Sequence, residues 1–198
     1  MYLSRYLSGR RIRIAALTAL TALTAGGLLG MTGAAQASMA ASAAPRSWVV
    51  IDTCTGLAGK ITYSPGLRTS TLRQVQATAT GTTSGCSNIF NGPEAGTGTF
   101  TAVLSGKASV NAENFTGTFT INWPAGTGFN PSNGTLSVTE SGGVETISGT
   151  VTSGFDTGCA LSSQYTITGK TGSGTKKHPV KAQTYTNTQA LNLSRNEG

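Results

Sequence analysis

Three cysteines and a single histidine are the most reactive side chains that this sequence offers. The cysteines are Cys54, Cys86 and Cys159, and none of them forms a Cys-x-x-Cys motif. His178 lies far along the chain from all three, between two lysines and a proline. A nucleophilic cysteine needs a nearby base, and a zinc site needs several such ligands together. The sequence therefore predicts neither a catalytic thiol nor a zinc site, and His178 is interpreted as a solvated loop residue.

The acidic residues are the second candidate for chemistry, and the chain has seven of them. A glycosidase needs two carboxyl groups that face one cleft, and a calcium loop needs several acids in a short span. Most of the acids lie at predicted turns or on polar strand faces, where solvated charge is expected. Asp52 shares a predicted strand face with Trp48 and Val50, so we expect it to be partly buried. The sequence predicts no catalytic residue, no metal and no cofactor.

Three aromatic residues, Trp48, Tyr63 and Tyr185, are candidate ligand-binding residues. An exposed aromatic ring presents an apolar face together with a polar edge, which suits contact with sugar rings. A solvent-exposed cluster of these three side chains would support glycan binding. Trp123 alternates with other apolar residues along a predicted strand, so we expect it in the core instead.

The start of the chain has the three-part organisation of a secretory signal peptide. Four arginines within residues 5–13 precede an uncharged stretch at 14–31, and the small-x-small site Ala35-Gln36-Ala37 follows. We expect cleavage after Ala37 and a secreted product without membrane attachment; a retained membrane anchor is the alternative. The predicted organisation is a signal peptide at 1–37, a flexible leader at 38–46, a β-domain at 47–193 and a frayed tail at 194–198.

Removal of the signal peptide changes the charge of the chain. The precursor carries a net charge of +7, but four of its fourteen Lys and Arg residues belong to the signal peptide. The remaining chain has ten basic and seven acidic residues, a net charge of +3. A domain of such modest charge, without a concentrated basic face, gives little attraction for nucleic acid. We expect no nucleic-acid partner.

Export also makes disulfide bonds possible. Cys54 and Cys86 flank the first predicted hairpin, and we expect them to form a bridge. Pairing of either residue with Cys159 stays open as an alternative. Because the cysteine count is odd, Cys159 is then a free thiol or a link to another chain.

The rest of the chain alternates between strand and turn patterns. The clearest strand is 115–123, in which Phe115, Phe119, Ile121 and Trp123 share one face and threonines share the other, a period of two. Turn signals such as Asn133-Gly134 separate about eight similar segments, among them 48–53, 59–63 and one that begins at Ile147, and no apolar stripe of helical period occurs. The pattern predicts an all-β fold, either an antiparallel β-sandwich or a small barrel of eight or nine strands. Whether residues 180–193 complete the sheet stays open.

Several motifs resemble those of small secreted Thr/Gly-rich β-proteins of actinobacteria such as Streptomyces. They are Cys54-Thr-Gly followed by Ile61-Thr-Tyr-Ser-Pro-Gly-Leu67, Gly117-Thr-Phe-Thr-Ile-Asn-Trp123 and Gly149-Thr-Val-Thr-Ser-Gly154. The resemblance spans most of residues 54–169. It implies a compact secreted β-fold, and because that group has no assigned activity, it implies no mechanism.

The function expected from these observations is binding, without catalysis, at the cell envelope or outside the cell. A cell-wall glycan or an extracellular protein is the expected partner. Two alternatives stay open: an extracellular hydrolase whose carboxylates the fold brings together, and a self-assembling surface protein or protease inhibitor. The sequence leaves the oligomeric state undetermined.

Overall fold

The structure of this chain, a computed structural model, describes residues 47–94 and 96–197. The predicted signal peptide and leader lie outside the described residues. The strands are β1 (Ser47–Leu67), β2 (Arg73–Asn88), β3 (Gly92–Pro93), β4 (Thr97–Ser109), β5 (Ala112–Asn122), β6 (Ser132–Ser141), β7 (Val144–Ser153), β8 (Ala160–Thr171) and β9 (Val180–Glu197). These residues contain no α-helix, and among them no helix is long and apolar enough to cross a membrane.

Eight of the strands form a closed antiparallel barrel. The strand order is β1-β9-β8-β7-β6-β5-β4-β2, and the pairing of β1 with β2 closes the ring; the two-residue β3 pairs with the end of β2. The predicted all-β antiparallel fold is confirmed, and of the two predicted architectures the chain adopts the barrel, not the sandwich. The physical reason is that β1 pairs along one edge with β2 and along the other with β9, which leaves no free edge in the ring.

The first and last strands, β1 and β9, meet in this closure. Residues 48–53 and 59–63, predicted as separate strands, belong to the single long strand β1. Residues 180–193 do complete the sheet, as the greater part of β9. Residues predicted to fray also pair, since Ser47 lies opposite Glu197.

Side chains fill the interior of the barrel. The predicted core face of 115–123 is confirmed: Phe115, Phe119, Ile121 and Trp123 are all buried. Glycines lie opposite large residues, as small barrels require; a Cβ added to Gly134 would come within 2.7 Å of the Phe119 ring. The central cavity between the strands has a volume of only about 20 Å³. That is room for about one water molecule, so the lumen does not hold an organic ligand.

Gly117 tests this close packing, because a Cβ at that position would lie 2.0 Å from the carbonyl oxygen of Val103. We expect Gly117→Ala to lower the free energy of unfolding by about 2 kcal/mol or more, since the backbone of β4 would have to move. Thr118→Ala on the exposed outer face of the same strand is the matched control, with an expected change within about 0.5 kcal/mol. Urea denaturation of both variants measures the difference. Equal stability of the two variants would contradict this packing.

Candidate functional site

Six of the seven acidic residues lie in two clusters, one at each end of the barrel. The end at which β6 turns into β7 is called the mouth, and the opposite end, where β1 begins, is called the base. The mouth cluster consists of Glu113, Glu140 and Glu145, and the base cluster of Asp52, Glu94 and Asp156. Glu197 lies exposed at the end of β9. The expectation that most acids are solvated charges is therefore wrong for Glu113, Glu145 and Asp156, which are buried.

Strand alternation places the mouth acids inside the barrel. Glu113 lies two residues before Phe115, and Glu145 lies two residues before Ile147, so each shares the inward face of its strand with a core residue. Both glutamates are at least 94% buried. The period-two pattern that predicts these strands also places the two glutamates on the inward face. However, the predicted strands begin at Phe115 and Ile147, two residues too late to include them. Extending the alternation by two residues would have identified both acids.

Tyr63, Glu113 and Gln183 form a hydrogen-bonded group below the mouth. The Tyr63 hydroxyl lies 2.9 Å from Glu113 Oε1 and 2.6 Å from Gln183 Oε1. A phenol has one hydrogen and donates to only one of these oxygens. A proton on the Glu113 carboxyl group, or a Gln183 amide turned to present its NH₂ group, supplies the donor for the second contact.

The protonation of the two buried glutamates follows from their surroundings. Burial raises the pKa of Glu113 to about 7; the Tyr63 hydrogen bond opposes this shift and Glu140 adds to it. Burial, with the nearby carboxylates of Glu113 and Glu140, raises the pKa of Glu145 to about 8. Among the described residues, Oε2 of Glu113 and Oε2 of Glu145 have no hydrogen-bond partner. Near neutral pH the cluster thus keeps protons on its carboxyl groups, and two of its oxygen atoms have no hydrogen-bond partner among the described residues.

A solvent-facing pocket of about 410 Å³ opens at the mouth in front of this cluster. Glu145 and Gln183 contribute its polar floor, and Val110 and Ile167 contribute apolar walls. Loops around the mouth hold one another in place: the Val110 amide donates to the Arg68 carbonyl at 3.0 Å. The pocket is therefore a concave, largely preformed site with a few convergent polar groups, the usual form of a small-molecule site.

A larger but shallower hollow of about 580 Å³ lies on the outer wall of β5, β6 and β7. Thr116, Thr135, Ser148 and Thr150 line it with exposed hydroxyl groups. Its lining has neither a charged side chain nor a buried polar atom without a partner. The mouth pocket is the better candidate, because Glu145 in its lining is buried and keeps one carboxyl oxygen without a hydrogen-bond partner among the described residues.

Asp52 and Asp156 of the base cluster are also buried. The carboxyl groups of Asp52 and Asp156 are within hydrogen-bonding reach of each other, and the Asn88 side chain donates to Asp52 Oδ2 at 2.8 Å. Burial and the neighbouring Asp52 raise the pKa of Asp156 to about 8. Asp52 is buried as expected, but for another reason: a register shift between Val50 and Asp52 moves it to the inside while Val50 and Trp48 stay exposed.

The cysteines agree with the predicted pairing. Cys54 and Cys86 are bonded to each other and lie directly opposite on β1 and β2. Cys159 is a buried free thiol, and burial raises its pKa. Of the two roles left open for Cys159, its complete burial favours the free thiol over a link to another chain.

The predicted aromatic cluster does not form on the surface. Tyr63 and Tyr185 are buried, because each lies on the inward face of its strand, and Trp48 alone is exposed. His178 is exposed in the loop between β8 and β9, in agreement with its interpretation as a solvated residue. Within residues 47–94 and 96–197, no group of three or more His, Cys, Asp or Glu side chains is arranged to hold a metal ion.

No protein-family model, curated protein or solved structure matches this chain.

The buried acids predict an unusual dependence of stability on pH. Folded Glu113, Glu145 and Asp156 hold their protons to about pH 7 or 8, whereas the same groups in the unfolded chain lose them near pH 4. Their contribution to the free energy of unfolding is complete below the ordinary carboxyl pKa. This contribution declines as the pH rises above that value, and the decline ends once the pH exceeds the raised pKa values of the folded protein.

We expect the free energy of unfolding to be lower at about pH 8.5 than at about pH 5 by at least about 2 kcal/mol. Urea denaturation followed by the fluorescence of buried Trp123 measures it. Glu145→Gln should make this dependence shallower, and Glu197→Gln, at an exposed position, should leave it unchanged. Stability that rises with pH over this range would contradict the protonated state of the clusters.

Proposed function

We propose that this chain is a secreted, non-enzymatic binding protein that holds a small polar ligand in the mouth pocket. The observation that carries the proposal is the unpartnered Oε2 of Glu145, buried in the floor of a pocket of about 410 Å³. A buried polar atom without a hydrogen bond is costly, and a ligand that supplies the missing donor removes that cost.

The shape of the barrel supports binding at the mouth. The central cavity, at about 20 Å³, is too small for an organic ligand, and Tyr63 and Tyr185 are unavailable for stacking at the surface. A single sugar unit of a cell-wall glycan, or one side chain of an extracellular protein, has a size that suits the mouth pocket. A cell-wall glycan and an extracellular protein are therefore both candidate partners in this proposal.

The proposed location outside the cell rests on the sequence and the disulfide. The Cys54–Cys86 bond favours an oxidising compartment, which agrees with the predicted signal peptide. The proposed relationship to secreted actinobacterial β-proteins points to the same location.

A hydrolase is the second candidate, because Glu113 and Glu145 are neighbouring carboxyl groups with raised pKa values, and Glu145 lines an open pocket. A protonated glutamate could serve as a general acid. However, a glycosidase also needs an ionised carboxylate as its nucleophile or base. Glu113 does not line the pocket, so this pair does not face a substrate there. Binding is therefore favoured over hydrolysis.

Titration of ¹⁵N-labelled protein with soluble peptidoglycan fragments and chitin oligosaccharides, followed by NMR, tests the binding proposal. We expect amide shifts at Asn111, Gly143 and Thr166 around the mouth. Asn111→Trp should fill the pocket and abolish the shifts. Asn114→Trp, on the exposed outer face of β5, is the matched control and should retain them.

Two results would refute the proposal. One is a set of shifts confined to the surface around Trp48 or to the outer wall of β5, β6 and β7. The other is release of cleaved oligosaccharide that Glu145→Gln abolishes, which would establish the hydrolase instead.

A further inference from the structure

The mouth has an imbalance of charged groups. Its three glutamates lie on the adjacent strands β5, β6 and β7, where Asn114 next to Glu113 pairs with Thr139 next to Glu140, and Glu140 pairs with Glu145. Lys170 is the one basic residue that lines the pocket, and its side chain is exposed. Full ionisation of the three acids would leave uncompensated negative charge in a buried position.

When the acids at the mouth are ionised, the oxygen atoms that lack a hydrogen-bond partner there are acceptors. Glu113 and Glu145 are at least nine-tenths buried, and each keeps Oε2 without a partner among the described residues. Of the other carboxyl oxygen atoms nearby, Glu113 Oε1 contacts the Tyr63 hydroxyl, and Glu140 Oε1 accepts from the amide of Gly143 at 2.8 Å. Glu145 lines the pocket, so a ligand there that brings N–H donors and positive charge would complete its Oε2.

The buried groups at this site do not supply that positive charge. The titratable groups around Glu145 are Tyr63, Glu113, Glu140 and Tyr165, together with Lys170 in the same pocket. The tyrosines are neutral, because burial raises their pKa values well above the ordinary range. The free protein therefore limits the buried charge by keeping protons on its glutamates.

The chemistry of the pocket favours an organic cation over a metal ion. The described acids are not arranged to hold a metal, whereas an ammonium group offers three N–H donors and a guanidinium group offers five. Val110 and Ile167 on the walls give apolar contact for a short carbon stem behind such a head group.

Building on the proposed binding function, we infer that the mouth pocket recognises a ligand with a primary ammonium or guanidinium group on a short stem, placed against Glu145, the buried carboxyl group in the pocket lining. On binding, a protonated glutamate transfers its proton to the solvent and its carboxylate pairs with the ligand cation. Amino sugars, diamines and the side chains of lysine and arginine belong to this class.

Isothermal titration calorimetry near pH 7, in two buffers with different ionisation enthalpies, tests the inference. The probes are 1,4-diaminobutane and glucosamine, with 1,4-butanediol and glucose as neutral counterparts of the same shape. We expect the amines to bind with release of up to about one proton per ligand, and the neutral counterparts to bind at least about tenfold more weakly.

Glu145→Gln should weaken amine binding by about tenfold or more and reduce the proton release, because it removes the ionisable partner. Glu197→Gln, in the exposed tail of β9, should change neither. Unfolding measurements on both variants ensure that a loss of binding is not a loss of the fold.

The outcomes separate this inference from the proposed function. If neutral sugars bind at the mouth as tightly as the amines, the inference is refuted and the proposed function stands. If the amines bind equally well to Glu145→Gln, or do not bind, the inference is likewise refuted. The proposed function is refuted separately, by the absence of NMR shifts at the mouth with every glycan and amine probe.

Discussion

Closure of the sheet by β1 is the constraint on which the rest of the structure depends. This strand of 21 residues pairs with β2 along one edge and with β9 along the other. Once the ring is closed, alternate residues of the strands point into a narrow lumen. The closed ring also lacks the two free edges of an open sheet. The Cys54–Cys86 bond joins β1 and β2 directly across the closing seam.

The lumen of such a small barrel has room for core side chains but not for a ligand, and the buried carboxyl groups lie at its ends. Glu113 and Glu145 continue the inward faces of β5 and β7 at the mouth, and Asp52 and Asp156 meet at the base. At both ends carboxyl groups are withdrawn from water next to one another, which raises their pKa values. A pocket of about 410 Å³ fronts the mouth cluster, and this pocket makes the mouth the proposed binding site.

Local patterns were sufficient to predict the all-β class, the inward face of residues 115–123 and the Cys54–Cys86 pair. Closure was not predictable, because it depends on β1 and β9 pairing across more than a hundred residues of sequence. The acid clusters were missed since the predicted strands began at Phe115 and Ile147, one alternation after Glu113 and Glu145. Tyr63 and Tyr185 were misplaced for a related reason: without the register of β1 and β9, the inward face of either strand could not be distinguished from the outward one.

The central claim is that the barrel holds Glu113 and Glu145 as neighbouring carboxyl groups that keep their protons to a much higher pH than ordinary glutamates. A ¹³C NMR titration of the side-chain carboxyl carbons tests it most directly, with Glu113→Gln and Glu145→Gln used to assign the two signals. The structure predicts titration of Glu113 at about 7 and of Glu145 at about 8. Titration of both residues near the ordinary glutamate value of 4.5 would contradict the claim.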